Sequence, residues 1–281
     1  MQQTYYKKQL VLLGGGHAHI QVLRKLCMNF YEGLHVILIN NSMESAYSGM
    51  TPAYIQDYYK IKEIMIDLQR LCFNAGVTFI NDEVIQLKTE EKKVILKNRP
   101  SIHYDLLSIN TGCISKKNNI KIHKNSKNIF IKPINNLIKN LNTLDKIIKN
   151  TNNTKINIIG GGVAAFEISF ALRVRFQNRI SITIISKNIL LEKNLNNKTI
   201  TELKKISENM SISLKEIDVI EIKKNELLLS NGEIFPSDLN LISNGAQLPE
   251  WLQNSSLEKI DEFIGIKTNL QSISDENIFA T

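Results

Sequence analysis

Two stretches of the chain repeat the same pattern of apolar and polar positions. The first begins with the apolar run QLVLLGGG (residues 9–16), continues with the helically periodic segment HAHIQVLRKLCMNF, and ends with the apolar run LHVILIN at Asn40. The second reads KINIIGGG (residues 155–162), VAAFEISFALRVRF and SITIISK. Gly14 precedes Asn40 by 26 positions, and Gly160 precedes Ser186 by the same 26. Each stretch is therefore predicted to form a strand, a helix and a second strand.

The repetition continues beyond these elements. Residues 77–98 and 212–233 each contain short segments that alternate between apolar and polar positions, which is typical of meander strands. Both copies then close with similar turns, DLLSINTG (Asp105–Gly112) and DLNLISNG (Asp238–Gly245), in which a glycine follows the aspartate by seven positions. A single glycine-rich loop is a weak signal, but two loops with matched strands and matched closing turns are a strong one.

This doubled pattern predicts an α/β fold with two Rossmann-like dinucleotide-binding units, each carrying a β-meander. The second unit, residues 121–235, is predicted to be inserted into the first, which comprises residues 1–120 plus 236–281. Insertion of one domain at a surface loop of another is common, so the long excursion of the chain is not an obstacle.

The glycines at the end of each first strand have a physical purpose. The chain must turn sharply from strand to helix, and the backbone must approach a pyrophosphate without a Cβ atom in the way. The helix that follows offers unpaired N–H groups and the positive end of its dipole. Gly14 and Gly16 in the first loop, and Gly160 and Gly162 in the second, are therefore predicted to contact a dinucleotide.

The third small position of the fingerprint differs between the loops. Ala165 completes the pattern in the second loop, whereas His19 occupies the corresponding position in the first. A bulky side chain there is expected to push the helix away from the strand or to rotate its first turn.

Composition and charge narrow the functional classes. The chain has 281 residues, 43% of them hydrophobic, and a net charge of +8. The lysines are scattered through segments such as residues 116–140, and no nucleic-acid-binding motif accompanies them, so we interpret the charge as a solvated surface. Nucleic-acid binding remains a third alternative, testable by a salt-dependent DNA shift.

Localisation and metal binding are judged from a few features. No run of about 18 apolar residues is present, and the N-terminus lacks a signal-peptide layout. Cys27, Cys72 and Cys113 are far apart in sequence, which favours a reducing cytoplasm over a disulfide or a metal cluster. The remaining histidines show no ligand spacing, and no metal is predicted.

Several motifs together resemble one protein family. They are GGGHAH (residues 14–19), YSGMTPAYIQDYY (47–59), YDLLSINTG (104–112), NGAQLPEWL (244–252) and ENIFAT (276–281). The chain resembles, over essentially its whole length, the two-dinucleotide-binding flavoproteins of the pyridine nucleotide-disulfide oxidoreductase fold. Within them it is similar to type II NADH dehydrogenase-like proteins, and closest to the flavoprotein module found fused to selenide, water dikinase. In that group a His-x-His after the glycines is usual, so the resemblance makes His19 a subfamily trait.

The resemblance implies FAD in the first unit and NAD(P)H in the second. It implies hydride transfer from NAD(P)H to the flavin, and from there to a quinone or another small-molecule acceptor. The segment AYSGMTP (Ala46–Pro52) is expected to run beside the flavin, with Tyr47, Met50 and Pro52 as cofactor contacts. Disulfide reductases carry a cysteine pair there, and this segment has none. An ordinary Gly/Pro turn is the alternative interpretation.

The resemblance also suggests contacts in the other loops. In the first unit these are His17 and Ala18 at the helix start, Asn40 at the second strand, and Thr111 and Gly112 at the closing turn. A surface position for His17 is an equally good interpretation.

In the second unit the corresponding contacts are Ser186, Lys187, Asn244 and Gly245. Neither unit has the acidic residue expected to bind a ribose. Because Lys187 could attract a 2′-phosphate, NADPH is slightly favoured over NADH.

Glu167 is the candidate catalytic residue. The family pattern places a carboxylate two residues after the third small position, facing the nicotinamide and the flavin. The alternative is a carboxylate near a helix N-terminus that interacts with the dipole.

The C-terminus raises a rival interpretation. Family members continue after ENIFAT with Gly-Asp, whose Asp contacts FAD, and with a region that mediates dimer or membrane contact. Since the sequence stops at Thr281, we expect a truncated C-terminus, with FAD affinity, homodimer formation and any peripheral membrane contact dependent on the missing region. A non-catalytic dinucleotide-binding protein or redox sensor is therefore the alternative function.

Overall fold

The computed structural model describes residues 6–116, 120–149, 151, 153–189 and 195–281. The chain divides into two compact units. Unit 1 comprises Met1–Tyr47, Met65–Cys113 and Gln247–Thr281, and unit 2 comprises Ser48–Ile64 and Ile114–Ala246. None of the helices in the described part of the chain combines the length and the apolar character needed to cross a lipid bilayer.

The helices and strands follow in chain order. The α-helices are α1 (His17–Met28), α2 (Thr51–Ile55), α3 (Ile61–Ile64), α4 (Leu68–Asn74), α5 (Ile134–Lys149), α6 (Val163–Phe176), α7 (Asn197–Asn209) and α8 (Glu250–Gln253), and 3-10 turns occur at Ser48–Met50 and Gln177–Arg179. The strands are β1 (Lys8–Leu13), β2 (Leu34–Asn40), β3 (Glu44–Ala46), β4 (Met65–Asp67), β5 (Thr78–Asn81), β6 (Val84–Lys88), β7 (Lys93–Leu96), β8 (Ile102–His103), β9 (Leu106–Ile109), β10 (Ile114–Ser115), β11 (Lys121–Ile122), β12 (Asn128–Phe130), β13 (Thr154–Ile159), β14 (Ile180–Ile185), β15 (Ile212–Lys215), β16 (Val219–Ile222), β17 (Glu226–Leu229), β18 (Ile234–Pro236), β19 (Leu239–Ile242), β20 (Ala246–Gln247), β21 (Lys259–Ile260), β22 (Phe263–Ile264) and β23 (Ile278–Ala280).

Unit 1 is built on a parallel sheet of order β23-β9-β1-β2-β5. Successive residues of β1 contact different cores, since side chains alternate across a sheet. Val11 and Leu13 pack with the antiparallel meander β6-β7-β8 and with α8, whereas Leu12 packs with α1 and α4. Strands buried on both faces read as continuous apolar runs, which explains the sequence of β1 and β2.

Unit 2 repeats this architecture with a parallel sheet of order β12-β19-β13-β14-β15. Helix α6 and helix α5 contribute to its largest core, which contains Phe166 and Leu172. A second core lies between this sheet and the meander β16-β17-β18, which β11 joins in parallel. The two parallel sheets with matched helices and meanders confirm the predicted fold class.

The two closing strands are attached to the first strands by equivalent aspartates. Asp105 accepts a hydrogen bond at Oδ2 from the amide of Gln9 (2.6 Å), and Asp238 accepts one at Oδ2 from the amide of Lys155 (2.7 Å). In return, the amides of Asp105 and Asp238 donate to the carbonyls of Gln9 and Lys155. The aspartate at the start of each closing motif therefore sets the register of β9 against β1 and of β19 against β13.

The limits of the compact units differ from the predicted boundaries in three places, at residues 48–64, 114–120 and 236–246. Residues 236–246 were predicted in the first unit, but β19 pairs with β12 and β13 in the sheet of unit 2. Residues 48–64 also belong to unit 2, because α2 packs against α6 through Ile55, which is fully buried. Strand pairing and helix packing over long sequence separations decide the limits at residues 236–246 and 48–64.

Arg175 of α6 holds α2 in place. Its guanidinium donates two hydrogen bonds to the carboxylate of Asp145 on α5, at 3.1 and 2.8 Å, and one to the carbonyl of Ile55 at 3.0 Å. Three helices of unit 2 therefore meet at one side chain, of which only 19% is exposed.

Candidate functional site

Backbone contacts hold the glycine loop of unit 2. The amide of Gly160 donates to the carbonyl of Ile185 (2.9 Å), and the amide of Ser243 donates to the carbonyl of Ile159 (2.7 Å). Gly160 has a φ of +131°, and a Cβ atom at this position would overlap the carbonyl oxygen of Ser243. Only glycine fits the close approach between this loop and the end of β19.

Both loop helices begin at a glycine. Gly162 is the N-cap residue of α6 and Gly16 that of α1, and a glycine has no side chain with which to cap a helix. By contrast, Asp67 accepts from an amide of α4, and Asn196 accepts from an amide of α7. The positive end of each helix dipole is therefore directed at a glycine loop, which is an arrangement that favours phosphate binding.

A cavity of about 650 Å³ lies at the loop of unit 2. It brings together six of the predicted cofactor contacts, namely Gly160, Gly162, Ser186, Lys187, Asn244 and Gly245. Ala165 is fully buried behind the loop instead, where its small side chain lets α6 pack closely. The side-chain oxygen of Asn244 is buried and has no hydrogen-bond partner among the described residues, so it is available to a ligand donor.

The cavity is also lined by residues that the motifs did not indicate. They include Asn188, which follows Lys187 after β14, and Lys132 and Asp218, which respectively follow β12 and precede β16 and which lie outside the strand–loop–helix motif. Lys132 and Lys187 supply positive charge, and Asp218 supplies negative charge. No sequence signal distinguishes these residues from other surface lysines and aspartates.

The loop of unit 1 has the same backbone plan with additional side-chain contacts. The amide of Gly14 donates to the carbonyl of Ile39 (2.8 Å), and that of Gly16 donates to the carbonyl of Asn110 (3.2 Å). Gly14 has a φ of +89°, and a Cβ atom there would lie 2.5 Å from the carbonyl oxygen of Asn110. The side-chain oxygen of Asn110 is buried beside Gly16 without a partner among the described residues.

Asn40 contacts the loop rather than extending freely from the strand end. Its Oδ1 accepts from the amide of Gly15 (3.0 Å), and its Nδ2 donates to the carbonyl of Ser42 (2.7 Å). A carboxylate could make the first bond but would repel the carbonyl of Ser42, because it has no donor. This explains why an amide occupies the position where an acid was expected.

His19 is buried, with 1% of its surface exposed. Its Nδ1 lies 2.6 Å from the carbonyl oxygen of Gly14, and its Nε2 lies 2.8 Å from the hydroxyl oxygen of Ser108 on β9. Burial lowers the pKa of His19 to about 4, although the hydrogen bond to Gly14 acts in the opposite direction. The bulky side chain is therefore accommodated as a neutral group between the loop and the sheet.

The buried histidine predicts a pH dependence of stability. An unfolded histidine, with a pKa of about 6.5, takes up a proton between pH 7 and pH 5, whereas His19 does not until about pH 4. Proton uptake by the unfolded state should therefore lower the free energy of unfolding by about 2 kcal/mol between pH 7 and pH 5. Urea unfolding at pH 7 and at pH 5 measures this change. In His19→Asn the decrease in the free energy of unfolding between the two pH values should be smaller by about 2 kcal/mol. An identical decrease in the two proteins would contradict the neutral, buried state.

The remaining predicted residues of unit 1 lie around this loop. His17 is exposed, and its ring meets that of Tyr47 edge-on at 4.4 Å between centroids. Ala18 lies in the first turn of α1, Thr111 lies beside Gly14, and Gly112 follows Thr111 after β9.

The predicted residues on α2 and α6 are placed in unit 2. Met50 and Pro52 are half-buried at the start of α2. Glu167 is exposed on α6, one turn from its N-terminus.

Both loops fit a dinucleotide by the same criteria. Each has glycines at which a Cβ atom would fill the turn, a helix that begins at a glycine N-cap, and a buried amide oxygen without a partner among the described residues. Gly14–Gly16 with α1 would hold one pyrophosphate, and Gly160–Gly162 with α6 would hold another.

Solved structures share this fold at low sequence identity. They include reduced CoADR-RHD from Bacillus anthracis (TM-score 0.82, 18% identity, 99% of this chain and 51% of that one) and the sulfide:quinone oxidoreductase of Aquifex aeolicus (0.79, 18%, 98% and 68%). NDH2 from Plasmodium falciparum, solved with NADH, is similar as well (0.82, 17%, 98% and 63%). The chain thus spans about half the length of the Bacillus protein.

Family membership follows from the sequence. No curated protein sequence matches the chain significantly. The family model described as pyridine nucleotide-disulphide oxidoreductase, however, matches residues 8–281 and therefore includes both loops and both meanders. The chain belongs to the pyridine nucleotide-disulphide oxidoreductase family, whose members are FAD-dependent NAD(P)H oxidoreductases.

Proposed function

We propose that the protein is an FAD-dependent NAD(P)H oxidoreductase that delivers electrons to a quinone or another small acceptor without a redox-active disulfide. The observation that carries this proposal is the presence of two glycine loops of one construction, each followed by a helix with a glycine N-cap, in two separate units. Two such loops suit an enzyme that holds two dinucleotides at once.

Unit 2 is assigned to NAD(P)H. The backbone of Gly160–Gly162 and the N-terminus of α6 would bind the pyrophosphate, and Ser186 and Lys187 would contact the adenosine ribose. The unpartnered oxygen of Asn244 would accept a hydrogen bond from the ligand, and Gly245 leaves room beside it. Glu167, exposed on α6, is proposed to position the nicotinamide or to handle a proton.

Unit 1 is assigned to FAD. Gly14, Gly16 and Ala18 would approach the pyrophosphate with backbone amides, and His17 and Tyr47 are exposed for contact with the cofactor. The backbone of Thr111 and Gly112 closes the same end of the sheet, and Met50 and Pro52 remain proposed flavin contacts. When bound, FAD supplies the redox chemistry, accepting hydride from NAD(P)H and passing electrons to the acceptor.

The proposed acceptor rests on the absence of cysteine from residues 46–52 and on one similar protein. Residues 46–52 contain no cysteine, and Cys72 is buried, with the pKa of its thiol raised to about 12 by that burial. A thiol of this kind reacts slowly at neutral pH. The similar Aquifex protein is a sulfide:quinone oxidoreductase, which supports a quinone as the acceptor. The resemblance to the module fused to selenide, water dikinase also suggests a selenium-related partner.

An anaerobic titration tests the proposed function. The purified protein, supplied with FAD, should become yellow, and NADH or NADPH should then bleach the flavin band stoichiometrically. Adding a soluble quinone should restore the band. A protein that retains FAD but is not reduced would support the non-catalytic alternative, and one that binds neither FAD nor a nicotinamide nucleotide would overturn the proposal.

Nucleotide preference depends on two charges at the cavity. Lys187→Ala should weaken NADPH binding about tenfold and change NADH binding little, because a charge-assisted bond to the 2′-phosphate is lost. Asp218→Asn is the matched control at the same cavity and should strengthen NADPH binding. Isothermal titration of both variants with both nucleotides measures the difference. Equal affinity of the wild type for the two nucleotides, or unchanged NADPH affinity in Lys187→Ala, would contradict the preference.

A further inference from the structure

His19 links the glycine loop of unit 1 to the sheet behind it. A carbonyl oxygen can only accept a hydrogen bond, so the contact at 2.6 Å requires Nδ1 of His19 to donate to Gly14. In the neutral ring Nε2 then lacks a proton and accepts from the hydroxyl of Ser108 at 2.8 Å. The two bonds fix both the tautomer and the orientation of the ring.

The bond to Gly14 has a direct consequence for the loop. The carbonyl of Gly14 and the amide of Gly15 belong to one planar peptide group, so fixing the carbonyl also fixes the direction of the amide. That amide donates to Asn40, which lies on the opposite side of the peptide group. His19 and Asn40 therefore hold one peptide of the loop at both ends.

Unit 2 shows that the fold does not require this contact. Its corresponding position is Ala165, and the loop turns through Gly160 without any side-chain bond to that glycine's carbonyl among the described residues. The difference between the two loops therefore points to a requirement of the first site rather than of the fold.

We propose that His19 is a positioning residue for the dinucleotide site of unit 1, acting through the Gly14–Gly15 peptide and held in its tautomer by Ser108. This inference rests on the proposed binding of FAD by unit 1. A loop that is ordered before binding does not have to be ordered by the ligand, so the contact raises affinity without touching the cofactor.

The test measures FAD binding by isothermal titration to the apoprotein at pH 7.5. His19→Ala should bind FAD at least about tenfold more weakly, and Ser108→Ala about threefold more weakly, since it removes only the bond that orients the ring. His19→Asn places an amide donor near the position of Nδ1 and should recover most of the affinity. His19→Gln places its amide near Nε2 instead and should not.

The relative FAD affinities of His19→Asn and His19→Gln distinguish a positioning role of His19 from a space-filling one. Gln resembles His in length more than Asn does, so a purely space-filling role would give Gln the higher affinity. Amide hydrogen exchange of Gly15 in the apoprotein gives a second measurement and should be faster in His19→Ala than in His19→Asn. NAD(P)H binding to unit 2 should stay unchanged in all four variants.

Three outcomes would overturn the inference. Wild-type FAD affinity in both His19→Ala and Ser108→Ala would exclude a positioning role, as would a higher affinity in Gln than in Asn. Failure of the wild type to bind FAD would overturn the proposed function together with this inference. If His19→Ala does not fold, the comparison of Ser108→Ala, His19→Asn and the wild type decides the question.

Discussion

Gly160→Ala should lower the free energy of unfolding by about 3 kcal/mol and weaken nicotinamide nucleotide binding at least tenfold. The φ of +131° costs a residue with a Cβ atom about 1–2 kcal/mol. The added methyl group would also overlap the carbonyl of Ser243, which is backbone and is held because the Ser243 amide donates to Ile159. To relieve this overlap the loop must move away from β19, which costs about 1 kcal/mol or more of further strain. The same movement displaces the amides that face the cavity. Urea unfolding and isothermal titration measure the two effects.

Gly232→Ala is the matched control in the same unit. Gly232 has a φ of +85°, but a Cβ atom there would meet nothing within 4 Å. This variant should lose only about 1 kcal/mol, from backbone strain, and should keep its nucleotide affinity. Equal losses in the two variants would show that the close approach of the loop to Ser243 is not what requires glycine.

Arg175→Ala should destabilise unit 2 by about 3 kcal/mol. The substitution removes two bonds to Asp145 and one to the carbonyl of Ile55, and it leaves a largely buried carboxylate without its cation. Since the bond to Ile55 fixes the end of α2, the segment 48–64 should also loosen. Urea unfolding measures the stability change, and hydrogen exchange of residues 51–55 measures the local effect.

Two other arginine variants define the cause. Arg175→Lys keeps the charge but cannot form the fork of bonds, so it should recover less than half of the loss. Arg179→Ala, at an exposed position just after α6, should change stability by less than about 0.5 kcal/mol. A full recovery with lysine would mean that charge, rather than the joining of three helices, stabilises this region.

Much of the fold was readable because both units repeat one local pattern. The strand–glycine–helix–strand stretches were predicted within one or two residues for β14, α1 and α6, since apolar runs and glycines are local signals. The starts of β1 and β13 were predicted within one residue, but both strands end three residues earlier than predicted, before the glycines. The equivalent closing motifs were also informative. Asp105 and Asp238 make the same backbone bonds in the two units, so their repetition in sequence has a structural cause.

Other features depend on contacts between distant residues. Nothing local shows that Asn40 bonds to Gly15, or that His19 reaches Ser108, 89 positions away. Lys132 reaches the cavity only when β12 pairs with β19, and Asp218 only when the meander packs on the sheet. The fingerprint therefore located the loops, but the side chains that orient them and the charges around them required the assembled structure.

The strand order also sets the sequence in which the units are completed during synthesis. Strand β9 of unit 1 pairs with β23, so its parallel sheet is incomplete until residues 278–280 have been made. Every residue of unit 2 has been translated by Ala246, 34 positions before Ala280 at the end of β23. At cellular rates of about 5–20 residues per second, unit 2 has a lead of roughly 2–7 s. The unit whose first strand leaves the ribosome earliest is thus the last to close, and its open sheet edge is exposed to chaperones or to misfolding in the interval.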